Sequence, residues 1–215
     1  MDLSGWQAVY EELKGQNFEL ISVAQDTGGE EAAGQWFDRA KPTFTQIVDE
    51  NHVISTTYNM VNVPTGVWIN EEGMIVRPNE TAYSSNTKLN LRGKELKSRG
   101  ADYVAALKDW VKNGAESDYA LSPEEVAKRV GPRTNEQALA EAEFQLGNYF
   151  HEQGDEEKAN ARWESAQKLR PESWNYHRQD WSFTPKEAGA NWTKKFQATE
   201  GDYYPDTDIP ELTKK

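Results

Sequence analysis

The chain has 215 residues, room for one large domain or two small ones and enough to bury a core without staples. It contains no cysteine, which excludes disulfides, thiolate metal sites, a cysteine nucleophile and a CxxC redox pair among its own residues. Thirty-six acidic against 24 basic residues give a net charge of −12, the wrong sign for a general nucleic-acid binder, and no apolar run approaches the roughly 20 residues a membrane span needs.

Leu3, Trp6, Val9, Tyr10 and Leu13 recur at helical spacing, with Glu11, Glu12 and Lys14 opposite, and Gly15 stops that helix. Phe18–Ala24 is an apolar run of strand formers that ends in Gln25-Asp26-Thr27-Gly28-Gly29. A helix fits Glu30–Arg39, anchored by Trp36 and Phe37 and broken by Pro42. Thr43–Val48 reads as a strand, and Asp49 as the cap of a helix near Glu50–Met60. After Val61-Asn62-Val63-Pro64-Thr65, the apolar runs Gly66–Asn70 and Met74–Arg77 flank Glu71-Glu72-Gly73, the pattern of a hairpin.

Pro78–Gly100 is polar and reads as a connector. Tyr103, Leu107, Trp110 and Val111 predict a helix. Residues 113–134 form a linker with a short helix opened by Ser122-Pro123-Glu124-Glu125, a capping pattern. From Asn135 to Leu169 the pattern is helical, interrupted once at Gly154-Asp155. From Pro171 the chain is rich in Trp and Tyr, and it closes on a polar, Pro- and Asp-containing stretch expected to be loosely ordered.

Candidate chemistry is sparse. His52, His151 and His177 are far apart and lack ligand partners at helical spacing, so no metal site or cofactor is expected. Asp26 and Asp49 each end a predicted strand, the edge where α/β folds place their sites, but short carboxylates there also cap the following helices. Gly28-Gly29 lacks the Lys-Ser/Thr of a phosphate loop, and Ser22 is not in a G-x-S-x-G turn. Trp174 and Trp181, seven apart, suit one buried helix face.

Two stretches carry resemblances. The order strand, Asp, helix, strand, Asp, helix over Phe18–Val76, followed by VNVPTGVWINEEGMIV, resembles the redoxins of the thioredoxin fold, the group of TlpA- and ResA-like oxidoreductases and alkyl hydroperoxide reductase/thiol-specific antioxidant proteins. Val63, Pro64 and Thr65 stand where that group has its cis-proline loop, and Asn70 replaces its usual Asp. Spacing alone fits a trans proline at the start of an edge strand; the resemblance implies a cis bond. A cis bond would leave the Val63 N–H and C=O facing outward to pair with an extended peptide, so Val63, Pro64 and Thr65 are the candidate substrate-binding residues. Second, Leu146-Gly147, Phe150, Gly154, Ala159, Trp163, Ala166 and Pro171 resemble one tetratricopeptide repeat, implying a hairpin of close-packed helices. A single repeat makes no solenoid, so the hairpin is expected to pack on the rest of the chain.

The redoxin resemblance implies a reactive residue at the N-terminus of a helix whose second half resembles Leu3–Leu13. The residue and its strand would lie upstream of Met1, and the missing strand would be central, between Phe18–Ala24 and Gly66–Asn70. The expectation is an incomplete α/β thioredoxin-like fold over residues 1–112, then a linker at 113–134, an all-α hairpin at 135–170 and an aromatic-rich tail at 171–215. The chain would be a redoxin fragment, its reactive residue cysteine or selenocysteine, inert as it stands and prone to self-association through unpaired sheet edges. The alternative is a cysteine-less thioredoxin-like scaffold that binds protein or peptide partners through the cis-proline loop and the hairpin.

Overall fold

Leu3, Val9 and Leu13 are the buried residues of the first helix, α1 (Leu3–Leu13), which forms where the apolar spacing predicts it. In the computed structural model, which describes residues 2–91, 93–200 and 208–209, the chain is mixed α/β. β1 (Ile21–Gln25) runs through α2 (Gly29–Ala40) into β2 (Thr45–Asp49), and the two strands pair in parallel with Val23 opposite Ile47. α3 (Val53–Thr57) is shorter than the predicted helix, because His52 and Asn59 adopt left-handed φ values of 55° and 56° that bracket it.

β3 (Thr65–Ile69) and β4 (Ile75–Thr81) form the expected antiparallel hairpin. Its turn is fixed by Asn70, whose Oδ1 accepts the N–H groups of Glu72 at 3.1 Å and Met74 at 2.9 Å, while Gly73 supplies φ of 78°. The predicted connector over Pro78–Gly100 is not one. β4 continues to Thr81, and β5 (Asn86–Leu91) and β6 (Lys94–Arg99) make a second antiparallel hairpin. It reads as a loop because its cross-strand pairs are mostly polar: only Leu89 opposite Leu96 is apolar, and Glu95 bridges Lys88 at 2.7 Å and Lys97 at 2.5 Å.

α4 (Gly100–Asn113) buries Tyr103, Val104, Ala106 and Leu107 against Val9 and Leu13 of α1, Trp68 of β3 and Ile209. Trp68 stacks on Trp110 at 5.1 Å and donates its indole N–H to Tyr103 Oη at 2.8 Å, so the largest core ring is also hydrogen-bonded. Arg77 beside this core is 2% exposed. Its guanidinium donates to Glu80 at 3.0 Å, Tyr119 O at 2.9 Å and Asp208 O at 2.6 Å.

α5 (Pro123–Val130) starts at a Ser122/Glu125 capping box, and α6 (Asn135–Glu152) at a Thr134/Gln137 box. α7 (Glu156–Leu169) is capped by Asp155 after Gly154 turns the chain with φ of 74°. Ala140 and Phe144 of α6 pack with Ala159, Trp163 and Ala166 of α7. Gly147 gives Trp163 its room, since a Cβ there would lie 2.5 Å from the indole nitrogen. The residues read as a tail fold into two further helices, α8 (Trp174–Ser182) and α9 (Pro185–Ala198), whose Trp174 and Phe196 form a third small core. Most of the stretch expected to be loosely ordered lies outside the described residues.

Candidate functional site

Among the described residues, β1 pairs only with β2 and β3 only with β4. The two free edges face the same space. Residues 18–26 form one wall and residues 63–70 another wall of a single cavity of about 1800 Å³. Trp36 and Phe37 of α2, and Trp6, Leu107 and Trp110 of α1 and α4, complete its apolar lining. No residue of β1 is buried, and Ile21 is 59% exposed. A parallel strand of this apolar composition is normally covered on both faces. The edge that β1 turns to the cavity also presents backbone N–H and C=O groups without a ladder partner.

One end of the cavity is polar. At the C-terminal ends of β1 and β2, Asp26 Oδ1 accepts the Gly28 N–H at 2.9 Å, and the buried Asp49 carboxylate accepts those of Val53 at 2.9 Å and Ile54 at 2.8 Å. Both aspartates therefore serve the turns and helix that follow them. His52, 3% exposed, joins three elements here. Its Nε2 lies 3.0 Å from Gln179 Oε1 and 3.3 Å from Thr27 Oγ1, and its ring meets Phe144 edge-on at 5.1 Å. Gln179 Oε1 also accepts the Thr27 N–H at 3.3 Å while its Nε2 donates to Ser182, which makes His52 Nε2 the protonated nitrogen. Nδ1 is buried and has no hydrogen-bond partner among the described residues, and burial holds the ring below the ordinary histidine pKa, hence neutral.

The Val63–Pro64 bond is cis. Val63, Pro64 and Thr65 all line the cavity, at the start of β3. The Val63 N–H does not face outward for a peptide, however. It donates to Asn62 Oδ1 at 2.9 Å, and the same oxygen accepts from Arg178 Nη2 at 3.2 Å. Pro64 O accepts from the Ala82 N–H at 3.2 Å, and Thr65 Oγ1 donates to Asn62 O at 2.6 Å. The loop is thus closed by its own side chains and by α8, whose Trp174 N–H reaches Val61 O at 2.7 Å and whose Asn175 amide reaches Met60 O at 2.9 Å.

Of the residues singled out in the sequence, Val63, Pro64, Thr65 and Asp26 line this cavity; Asn175, Arg178 and Gln179, in the Trp174–Trp181 stretch, line it too and carry no role assigned from the sequence. They reach it only because α8 folds back over residues separated from it by more than a hundred positions, and no local pattern carries that information. The three histidines do not converge: His151 contacts Phe183 and Glu156, and His177 packs on Trp181, where burial and Lys195 push its pKa down to about 4. Among the described residues no group of three or more His, Asp or Glu is placed to hold a metal ion, and no helix is long and apolar enough to cross a membrane. Compared with known proteins, the chain matches no family model, no curated protein and no solved structure.

Proposed function

We propose that the chain forms a thioredoxin-like domain of the redoxin kind whose sheet is completed by an extended apolar segment seated between β1 and β3, and that the completed domain serves peroxide or disulfide reduction. One observation carries the reading: β1 and β3, each with one ladder partner among the described residues, wall the same apolar cavity. An extended segment of about five residues has the backbone to pair with both edges at once and the side chains to fill the space between the helices. The chain has no cysteine, so any redox atom must arrive with that segment or from the substrate. It would arrive at the polar end, between Asp26, the Pro64 loop and α8, where α/β sheets present their sites.

The second reading is a cysteine-less module that binds strands of partner proteins and does no chemistry. It shares the same slot, and the engaged Val63 N–H moves its recognition surface from the proline loop to the sheet edges.

Two fusions separate the readings. Each carries, on a flexible N-terminal linker, an apolar strand of about five residues followed by a short turn, with two cysteines in one version and two serines in the other. Both are expected to raise the melting temperature and to protect from hydrogen exchange those β1 amides that face away from β2. The cysteine version alone is expected to reduce insulin disulfides in the presence of a dithiol. Protection without reduction in the cysteine version leaves strand binding as the function. No added protection in either version refutes the slot itself.

A further inference from the structure

Among the described residues, α6 is covered on three sides and bare on the fourth. α7 packs on Ala140, Phe144 and Gly147, and Tyr176 of α8 stacks on Phe144 at 4.6 Å. On the third side Glu141 accepts from Thr56 Oγ1 at 2.6 Å, and Gln145 donates to Asn51 O at 3.0 Å. The remaining face carries Leu139, Ala142, Leu146 and Tyr149, all exposed, with Leu139 at 50% and Tyr149 at 54%. Their spacing is three, four, three. That is the repeat of a seam between two helices, and a solvent-facing helix surface has no use for it. Ala142 near its centre is small enough to let a second backbone approach closely.

The edges of the stripe specify the occupant. Helical geometry places Glu136 and Glu143 along one edge and Glu152 along the other. Glu143 is paired with Arg162 at 3.1 Å; Glu136 and Glu152 have no ion pair among those seen in the described residues. A second copy of this chain, itself at −12, would set acid against acid. We propose that the open face of α6 seats one amphipathic helix of a partner protein whose apolar stripe is edged by Lys or Arg. The site lies on a different surface from the strand slot and does not depend on it.

The test uses the full chain and two labelled peptides of about 18 residues, the length of α6. Both carry Leu at alternating three- and four-residue spacing; one has Lys at the flanking positions, the other Glu. Fluorescence anisotropy at near-physiological salt is expected to show saturable binding of the Lys peptide alone. Leu139→Gln with Leu146→Gln should weaken it at least tenfold while circular dichroism and melting temperature stay unchanged, both positions being exposed. Tyr149→Lys offers a second variant should the first fail to fold, and it should weaken binding likewise. Glu136→Gln with Glu152→Gln should weaken binding a few-fold and flatten its salt dependence. The proposal is overturned if the Lys peptide binds the stripe variants as tightly as the parent chain, if the Glu peptide binds equally well, or if the chain sediments as a dimer that the stripe variants dissociate.

Discussion

Arg77→Met tests whether the buried guanidinium organises its surroundings or merely fills space. The side chain is 2% exposed and holds Glu80, itself 10% exposed, together with the carbonyls of Tyr119 and Asp208. Methionine keeps much of the volume but leaves Glu80 with only Arg129, at a long 3.5 Å, and two carbonyl oxygens short of a donor. Removing one partner of a buried ion pair costs about 3–5 kcal/mol, because the remaining charge stays in a poor solvent. For a chain of this size that is a fall in melting temperature of roughly 6–20 °C. Burial already raises the Glu80 carboxyl above the ordinary range despite Arg77. Without the guanidinium it rises further, so the penalty is full once pH exceeds that raised value and shrinks as pH falls and Glu80 takes a proton. Chemical denaturation at pH 8 and pH 5 measures both effects, and Arg77→Met with Glu80→Gln should recover at least about 1 kcal/mol of the single-variant loss. A cost below about 1 kcal/mol at pH 8, or a cost that does not change with pH, would refute the reasoning.

Gly147→Ala should destabilise the α6–α7 hairpin by about 1–2 kcal/mol, since the strain of crowding the buried Trp163 outweighs the gain in helix propensity, whereas Gly189→Ala on α9, which meets nothing within 4 Å, should gain roughly 0.5–1 kcal/mol; urea midpoints of opposite sign check the pair. His52 is held neutral below its ordinary pKa, so the stability it contributes is present above the unfolded-state value and is lost as pH falls through that value toward the lower folded one. The chain should therefore be less stable at pH 5 than at pH 7 on this account. His52→Gln should narrow that difference, and an identical pH dependence in the variant would remove His52 as its source.

The first half of the chain was legible to the extent that its helices and strands are amphipathic or apolar. α1 forms over the stretch that its five apolar positions mark, and the β3–β4 hairpin around the acidic turn with glycine. The β5–β6 hairpin was not, because Lys88, Asn90, Glu95 and Lys97 are stabilised across the strands, and a scan along the chain sees only their polarity. α3 is shorter than the apolar pattern predicts because Asn59 ends it in the left-handed C′ position, a local stop that asparagine favours but less strongly than glycine, and His52 enters it from the same region. At the site, the apolar strands and the Pro64 loop were visible, since strand formers and proline are local signals. The approach of Arg178 was not, since it depends on α8 docking, and the Val63 N–H is taken by the side chain of its own neighbour, Asn62.

That docking has a consequence for inheritance. The carbonyl of Val61 receives two backbone donors from the start of α8, and the Asn62 amide answers at once to its own loop and to Arg178. The proline loop therefore shares its Asn62 side chain and its Val61 carbonyl with the last helices, although the bonds of its Val63 N–H and Thr65 hydroxyl are its own. A homologous exchange that replaced residues 171–200 would take away the Asn175 and Arg178 side chains that bind the loop, and one that replaced residues 59–64 would take away the Asn62 and Asn59 side chains that receive Arg178 and Arg170. Segments more than a hundred positions apart must be transmitted together, as one character.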